Sequence, residues 1–475
     1  MSQFGSLPLE TVVDILSRLS ITSLGRCRCV CKSWRSVIAD PFLINKQLCV
    51  NRHRHSIDGD PNHYFFLAYS IVFERDCRNS AYGLEYFDYS CHSLQCSETF
   101  EERKRLQFPT DIGHFRVKSS CNGVLCLLRS HYIGSSCYSY AIILWNPSIN
   151  KFKILPKPGG QFQASSHDND VFVGIGFVPQ TNDYKVVRLI NLATNSDVFF
   201  SPRIEMYSLN TDSWTTWTTG YDVQWRLCGR ETTDASVNGA VHWTARKTTS
   251  CDNDDGDDDG SPFLIVSFHL ADEVLREIRL PKYHCAHRDP YRKYGFISVI
   301  HGKLAFTIDR GDENSLDQEV WEIWLLEDYD NEESWTKFCT ITMVPRCRHI
   351  VPLQFLNNGE FVVCSGKGGL IVFNLETQQI VGKELHGSGF EVVNYTQSLV
   401  LVKEGVDGSS TEMSSFAKEL KEFEDEKKEE EKRKSHFIDQ SNNGKSNEAS
   451  RQAQSGKSPS QDTEDSTDRA YLAIA

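Results

Sequence analysis

Three cysteines at every second position, Cys27, Cys29 and Cys31 in "RCRCVCKSWRSVIADPF" (26–42), are the first residues whose type could do chemistry. Thiolates bind zinc or cycle through disulfides, but both tasks need the sulfurs to converge. Structural zinc sites use C-x2-4-C pairs on a turn with two further ligands elsewhere, and none of the 16 cysteines stands in a C-x-x-C pair. On a helix, residues two apart point about 200° away from each other. The acidic run "CDNDDGDDDG" (251–260) opens like a calcium loop at Asp255, Asp257 and Asp259, yet Val266 stands where the loop needs its bidentate Glu. "SGKGGL" (365–370) lacks the spacing and the Ser/Thr of a phosphate loop. "GIGFVP" (174–179) has Pro179 where a dinucleotide fingerprint needs its third glycine. No G-x-S-x-G, H-E-x-x-H or protein-kinase set occurs. The expectation is no catalytic residue, no metal and no cofactor.

The cysteine run reads better as a helix face. Leu24, Cys27, Cys31 and Trp34 step by three, four and three, while Arg26, Arg28, Lys32, Ser33 and Arg35 fall mostly off that face. Cysteine acts here as a small buried hydrophobe. Upstream, "LPLETVVDILSRLS" repeats the period with Leu9, Val12, Leu16 and Leu19; Ser6 is a candidate cap and Pro8 suits a first turn. Downstream, Asp40-Pro41 opens a third short helix through Leu43 and Leu48. Three short helices in so few residues make a small core that gains from a partner on its leftover apolar face.

These residues, in this order, resemble an F-box of the plant type marked by a "VCKSWR" run. The resemblance implies a module that docks a Skp-type adaptor and, through it, the cullin and RING subunits of a ubiquitin ligase. The matching adaptor-binding positions are Leu7, Pro8, Val12, Ile15, Leu16, Leu19, Leu24, Val30, Cys31 and Trp34. Ser20 stands where the family usually has proline, and Ser20 or Thr22 can cap the second helix instead. Gly25 replaces a larger apolar residue, at a cost of roughly 1 kcal/mol within a helix.

Between about 64 and 403 the texture becomes that of strands: short alternating stretches of Val, Ile, Tyr, Phe and Trp separated by Gly, Asn, Asp and Pro. "SSCNGVLCLL", "ASVNGAVHWTA", "SVIHGKLAFTI" and "QFLNNGEFVVC" each place a turn ending in Gly before an alternating strand, and Asn-Gly favours tight hairpins. A second form follows each, anchored on Trp145, Tyr207, Phe268, Trp324 and Phe373, with gaps of 62, 61, 56 and 49 residues; Phe87 adds a weaker anchor. Such a period, with two hairpins per unit, predicts propeller blades, about six of them. "VNYTQSLVLVK" (393–403) is the expected closing strand. The anchoring aromatics are read as core, and the binding surface as loops on one face. "SCNGVLCL", "LWNPSINKFKILP", "GFVPQTNDYKVVRL" and "MYSLNTDSW" resemble the plant F-box-associated domain, which implies capture of a substrate protein; the double glycine of true kelch repeats is absent.

The organisation expected is therefore α+β and multidomain: a small three-helix F-box at 1–50, an all-β, kelch-like propeller domain at 64–403, and a tail at 404–475. In the tail, 418–434 carries Glu-to-Lys/Arg pairs four apart that favour a solvated helix; 435–475 reads as disordered. The net charge of -13 and pI near 5.6 speak against nucleic acid as a partner, although residues 1–50 carry six Lys/Arg against three acids. No signal peptide and no run of about 18 apolar residues is found, so the expected setting is cytoplasm or nucleus, with no membrane. The function this implies is a non-catalytic substrate-recognition subunit, its target protein unidentified. The alternative is a ligand- or glycan-binding propeller in which the F-box is secondary.

Overall fold

A computed structural model describes residues 7–55, 63–71, 89–108, 115–133, 137–158, 171–190, 202–217, 225–227, 235–247, 263–281, 295–309, 319–343, 351–356, 358–365 and 369–401. Ser6, Phe87, the acidic run 251–260 and the tail 404–475 lie outside them.

The N-terminal module has four helices rather than three: α1 (Leu9–Ser17), α2 (Ile21–Cys27), α3 (Lys32–Ile38) and α4 (Pro41–His55). The continuous helix expected through Cys27, Cys31 and Trp34 is broken. The last turn of α2 tightens, with the N–H of Cys29 bonding to Arg26 and that of Val30 to Cys27. Cys31 then stands extended at φ -160° and ψ 168° as the N-cap of α3. Cys and Val are weak helix formers, so little local propensity opposes the break. Ser20 caps α2 by accepting from the N–H of Ser23 at 3.3 Å.

The strands form six sheets. The first contains β1 (His63–Ile71), β2 (Tyr89–Cys96) and β3 (Glu102–Leu106); the second β4 (Arg116–Cys121), β5 (Val124–Ile133), β6 (Cys137–Asn146) and β7 (Lys151–Ile154). The third has β8 (Val171–Val178), β9 (Asp183–Ile190), β10 (Arg203–Ser208) and β11 (Ser213–Trp217). In the fourth, the short pieces β12 (Trp225–Leu227) and β13 (Ser236–Val237) both pair with β14 (Ala240–Lys247), followed by β15 (Phe263–His269) and β16 (Val274–Arg279). The fifth has β17 (Gly295–Ile300), β18 (Lys303–Asp309), β19 (Glu319–Leu326) and β20 (Trp335–Met343), and the sixth β21 (Val351–Phe355), β22 (Glu360–Ser365), β23 (Gly369–Asn374) and β24 (Gln379–His386). The last strand, β25 (Ser388–Thr396), runs antiparallel to β1 and completes the first sheet. This is a six-bladed propeller closed by β25, whose pairing with β1 covers the edge that strand would otherwise leave open.

The repeat follows from side-chain chemistry. Trp145, Tyr207, Phe268 and Phe373 all lie on the third strand of their blade and are buried. Each is followed five residues later by a residue of positive φ: Asn150, Asp212, Glu273 and Gln378. In the first blade Phe100 (φ 54°) holds that turn position, so Gln95 occupies the anchor's place. Apolar clusters span neighbouring blades, as where Val187 and Leu189 of β9 meet Trp243 and Val266. Phe66, His92, Phe115 and Trp145 join the first blade to the second by ring contacts. Fourth-strand tryptophans clip onto the preceding blade: Trp214 Nε1 donates to the Pro156 carbonyl at 2.6 Å and Trp335 Nε1 to that of Arg279 at 2.9 Å.

The hairpins linking first and second strands place Asn122-Gly123, Asn238-Gly239 and His301-Gly302 at positive φ. A Cβ at Gly123 would also collide with the Thr396 carbonyl and the Ser398 hydroxyl, whereas one at Gly302 meets open space. Gly123→Ala should therefore destabilise the chain by about 2–4 kcal/mol and Gly302→Ala by about 1 kcal/mol, read as shifts in denaturant midpoint. Equal losses would show that the closing segment does not crowd Gly123.

Candidate functional site

The helical module sorts its apolar residues into two sets. Val12, Val13, Leu16, Ile21, Leu24, Ile38 and Leu43 are buried together. Of the ten residues matched to adaptor docking, Val12, Leu16 and Leu24 belong to this core, and Leu19, Cys31 and Trp34 are half-buried. Leu7 (47% exposed), Pro8, Ile15 (50%) and Val30 (68%) face outward. The structure adds Leu9 and Phe42, each 64% exposed. Phe42 is turned out because Asp40 Oδ1 accepts its N–H at 2.8 Å, fixing the first turn of α4 with Leu43 inward. The Asp-Pro-Phe-Leu run carried that signal: of two adjacent apolar residues opening a helix, only one can face the core.

α4 rests against the propeller. Its Leu48 joins the cluster formed by Val124, Cys126, Val173 and Tyr184 of the second and third blades. Asn45 Nδ2 donates to Asn182 Oδ1 at 2.6 Å and Asn51 Nδ2 to the Gln397 carbonyl at 3.5 Å. Lys46 reaches back to Asp14 of α1 at 2.9 Å; this hydrogen bond, with help from Arg18, holds the Asp14 carboxyl below its usual range. Between α4 and the hairpin turns is a cavity of about 670 Å³, lined by Asn45, Leu48, Asn122, Phe177, Asn238 and Asn394 among others. The helices thus sit at the end of the ring where first-to-second and third-to-fourth strand turns meet. In an antiparallel blade the remaining connections must leave from the opposite rim. Among them are 72–88, 155–170, 191–202, 248–262 and 280–294, whose structure lies mostly outside the described residues.

The glycines of "GIGFVP" lie in β8, which turns into β9 rather than a helix. A Cβ at Gly174 would strike Val241 and one at Gly176 would strike Leu270, so these glycines let the fourth blade approach. "SGKGGL" joins two strands, β22 and β23. Among the described residues no group of three or more His, Cys, Asp and Glu is arranged to hold a metal, and no helix is long and apolar enough to cross a membrane.

Comparison with known proteins matches residues 85–402 to the family described as F-box associated beta propeller domain, and residues 4–51 to F-box-like. In Arabidopsis thaliana, F-box protein At3g07870 is 27% identical over 72% of this chain and 74% of its own length. F-box/kelch-repeat protein At3g23880 is 21% identical over 78% of this chain and 88% of its own. F-box protein CPR1 is 23% identical over 79% and 83%.

Several side chains with chemical capacity are buried or bonded within the propeller. Arg188 and Arg203 bracket the buried carboxylate of Glu205 at 2.6 and 2.8 Å. Burial pushes the Cys126 thiol up to about 12 and the Cys339 thiol up to about 11, so neither forms a thiolate readily. Fully buried His242 of β14 meets the Ala235 carbonyl with Nδ1 at 2.7 Å and the Tyr329 hydroxyl with Nε2 at 2.7 Å, linking the fourth and fifth blades. The carbonyl can only accept, so Nδ1 carries the proton and Nε2 accepts from Tyr329. Burial lowers the His242 pKa to about 4 from 6.5. Between those values the unfolded chain binds the proton and the folded one does not, so stability falls as pH drops through that window. The loss attributable to His242 should reach about 3 kcal/mol by pH 4. His242→Gln should flatten the pH dependence of the denaturant midpoint over this range; an unchanged slope would sink the assignment.

Proposed function

Because this chain belongs to the family of proteins with an F-box associated beta propeller domain, preceded here by an F-box, we propose that it is the non-catalytic substrate-recognition subunit of an SCF-type ubiquitin ligase. The F-box docks a Skp-type adaptor, which links it to cullin and RING subunits. The propeller captures the target protein on the rim away from α4. Ubiquitin chemistry belongs to the other subunits; this chain acts by holding the target close to the charged enzyme. The setting is cytoplasm or nucleus, with neither nucleic acid nor membrane as partner.

The observation that carries this reading is where apolar surface is left uncovered. Among the described residues nine large hydrophobics are exposed, and five of them (Leu7, Leu9, Ile15, Val30 and Phe42) fall within the F-box, the rest being scattered over β16, β20 and β24. Burying one such side chain contributes about 1.5–3 kcal/mol at most, and a concentration of them marks an interaction surface. Arg26, Lys32 and Arg35 are exposed on the same module and favour an acidic partner.

A charged residue at Leu16 would unfold the module and tell nothing about docking, since Leu16 is core. Ile15→Arg and Val30→Glu are the informative changes: each should weaken adaptor binding by about tenfold or more while leaving the unfolding midpoint in place, as titration calorimetry and denaturation would read. Unaltered binding by both variants, or no measurable affinity of the unmutated chain for any Skp-type adaptor, would overturn the proposal. A ligand-binding propeller remains the second reading, favoured by the amide-lined cavity under α4; a thermal-shift screen with small polar compounds discriminates it.

A further inference from the structure

We infer that the segment Gln397–Leu401, which follows the strand closing the propeller, is a structural part of the F-box, so that adaptor docking depends on closure of the ring. The inference rests on the adaptor-docking reading above and adds residues far from the F-box in sequence.

Leu399 is 0% exposed and lies inside the F-box core, against Val12, Val13, Leu16, Ile21, Leu24, Ile38 and Leu43. Ile149, from the turn after β6, packs against the same cluster. The helices alone therefore do not complete their own interior; one of its fully buried side chains arrives from the far end of the propeller. A helical unit of this size is marginal by itself, and a missing interior leucine leaves a void that such a unit tolerates poorly.

The backbone on either side of Leu399 is clamped. Asn146, fully buried at the end of β6, directs Nδ2 to the carbonyls of Ser398 at 3.1 Å and Val400 at 2.9 Å, with Ser398 Oγ also at 3.1 Å. Its Oδ1 accepts from the Ser148 N–H at 2.9 Å and from the Tyr395 hydroxyl at 3.2 Å. Tyr395 Oη in turn accepts from the Ser148 N–H at 3.0 Å and lies 2.6 Å from Ser148 Oγ. Asn51 of α4 bonds to the Gln397 carbonyl, and Val400 and Leu401 enter the cluster that holds Leu48. Pairing of β25 with β1 delivers this segment to the second blade, Asn146 fixes its path, and Leu399 is thereby placed among the helices. Asn146 and Leu399 are positioning residues for docking, since neither faces an adaptor.

The test uses the full chain with Leu399→Ala and Leu399→Met, following amide hydrogen exchange by segment together with affinity for a Skp-type adaptor. Leu399→Ala should speed exchange in α1–α3 and weaken adaptor binding, each by about tenfold or more, while β9, β10, β18 and β22 stay protected. Leu399→Met, close in volume, should restore both. The inference is overturned if α1–α3 keep their protection in Leu399→Ala. It is equally overturned if every blade loses protection in step with the helices, because Leu399 would then belong to one global core. Should the unmutated chain bind no adaptor, the functional reading fails, and the exchange measurement still decides whether Leu399 holds the F-box together.

Discussion

Pairing between the last strand and the first, β25 against β1, is the constraint on which the rest of the molecule depends. A propeller built from consecutive blades has one open seam, where unpaired N–H and C=O groups would face water or another chain. Here the seam is sealed by seven residue pairs from His63–Thr396 to Ser70–Ser388, with one irregularity between Ala68 and Ser70. Because β25 supplies the innermost strand of the first blade, closure also completes the central wall of the ring: β25 lies beside β4 on one side and β21 on the other. Glu391 of β25 accepts the N–H of Val117, binding the seam to the second blade.

Closure of this kind couples the N-terminal helices to the segment after β25. The residues after β25 leave the ring on the side where the helices sit, and there they meet the turn following β6. The turn is short and rigid because Asn146 satisfies its own loop and the incoming backbone together. A buried amide with every partner in place specifies one geometry. Burial also pushes the Tyr395 hydroxyl upward from its ordinary pKa, so it stays protonated and keeps donating to Asn146. The helical module is consequently seated on the ring, its α4 packed on the second and third blades, rather than hung from a linker.

Much of this was legible in the sequence, for physical reasons that also mark where legibility stopped. Asn-Gly pairs announced hairpins because few residues accept positive φ, and Asn122-Gly123 and Asn238-Gly239 adopt it. The spaced aromatics announced blades because most third strands turn a bulky side chain into the core, and four of the five anchors are buried there. The fifth, Trp324, is only partly buried: an irregularity between Ile323 and Trp324 shifts its register against β20, where Lys337 lies 5.9 Å from the ring centre. A period-based reading cannot foresee a bulge, since local propensity does not change there. The break at Cys31 was hidden similarly, no Gly or Pro marking it. Nor could spacing divide Val12, Leu16 and Leu24 from Ile15 and Val30, because which apolar residues face inward depends on neighbours such as Leu399, distant in sequence.

The two rims of the ring are under different constraints, and this bears on where the chain can change length. On the side facing the helices, connections are tight turns such as 122–123, 147–150, 209–212, 238–239, 270–273 and 375–378, many holding a residue at positive φ. Several are packed or bonded across: Gly123 against Ser398, Ile149 against the F-box core, Lys185 to the Leu270 carbonyl at 2.9 Å. An insertion there would displace the helices or open a blade junction. On the opposite rim, the strands are joined by stretches such as 72–88, 191–202 and 248–262, and a change of length between paired strands leaves the ladder registers as they are. Changes of length are therefore costly on the first rim and tolerated on the second.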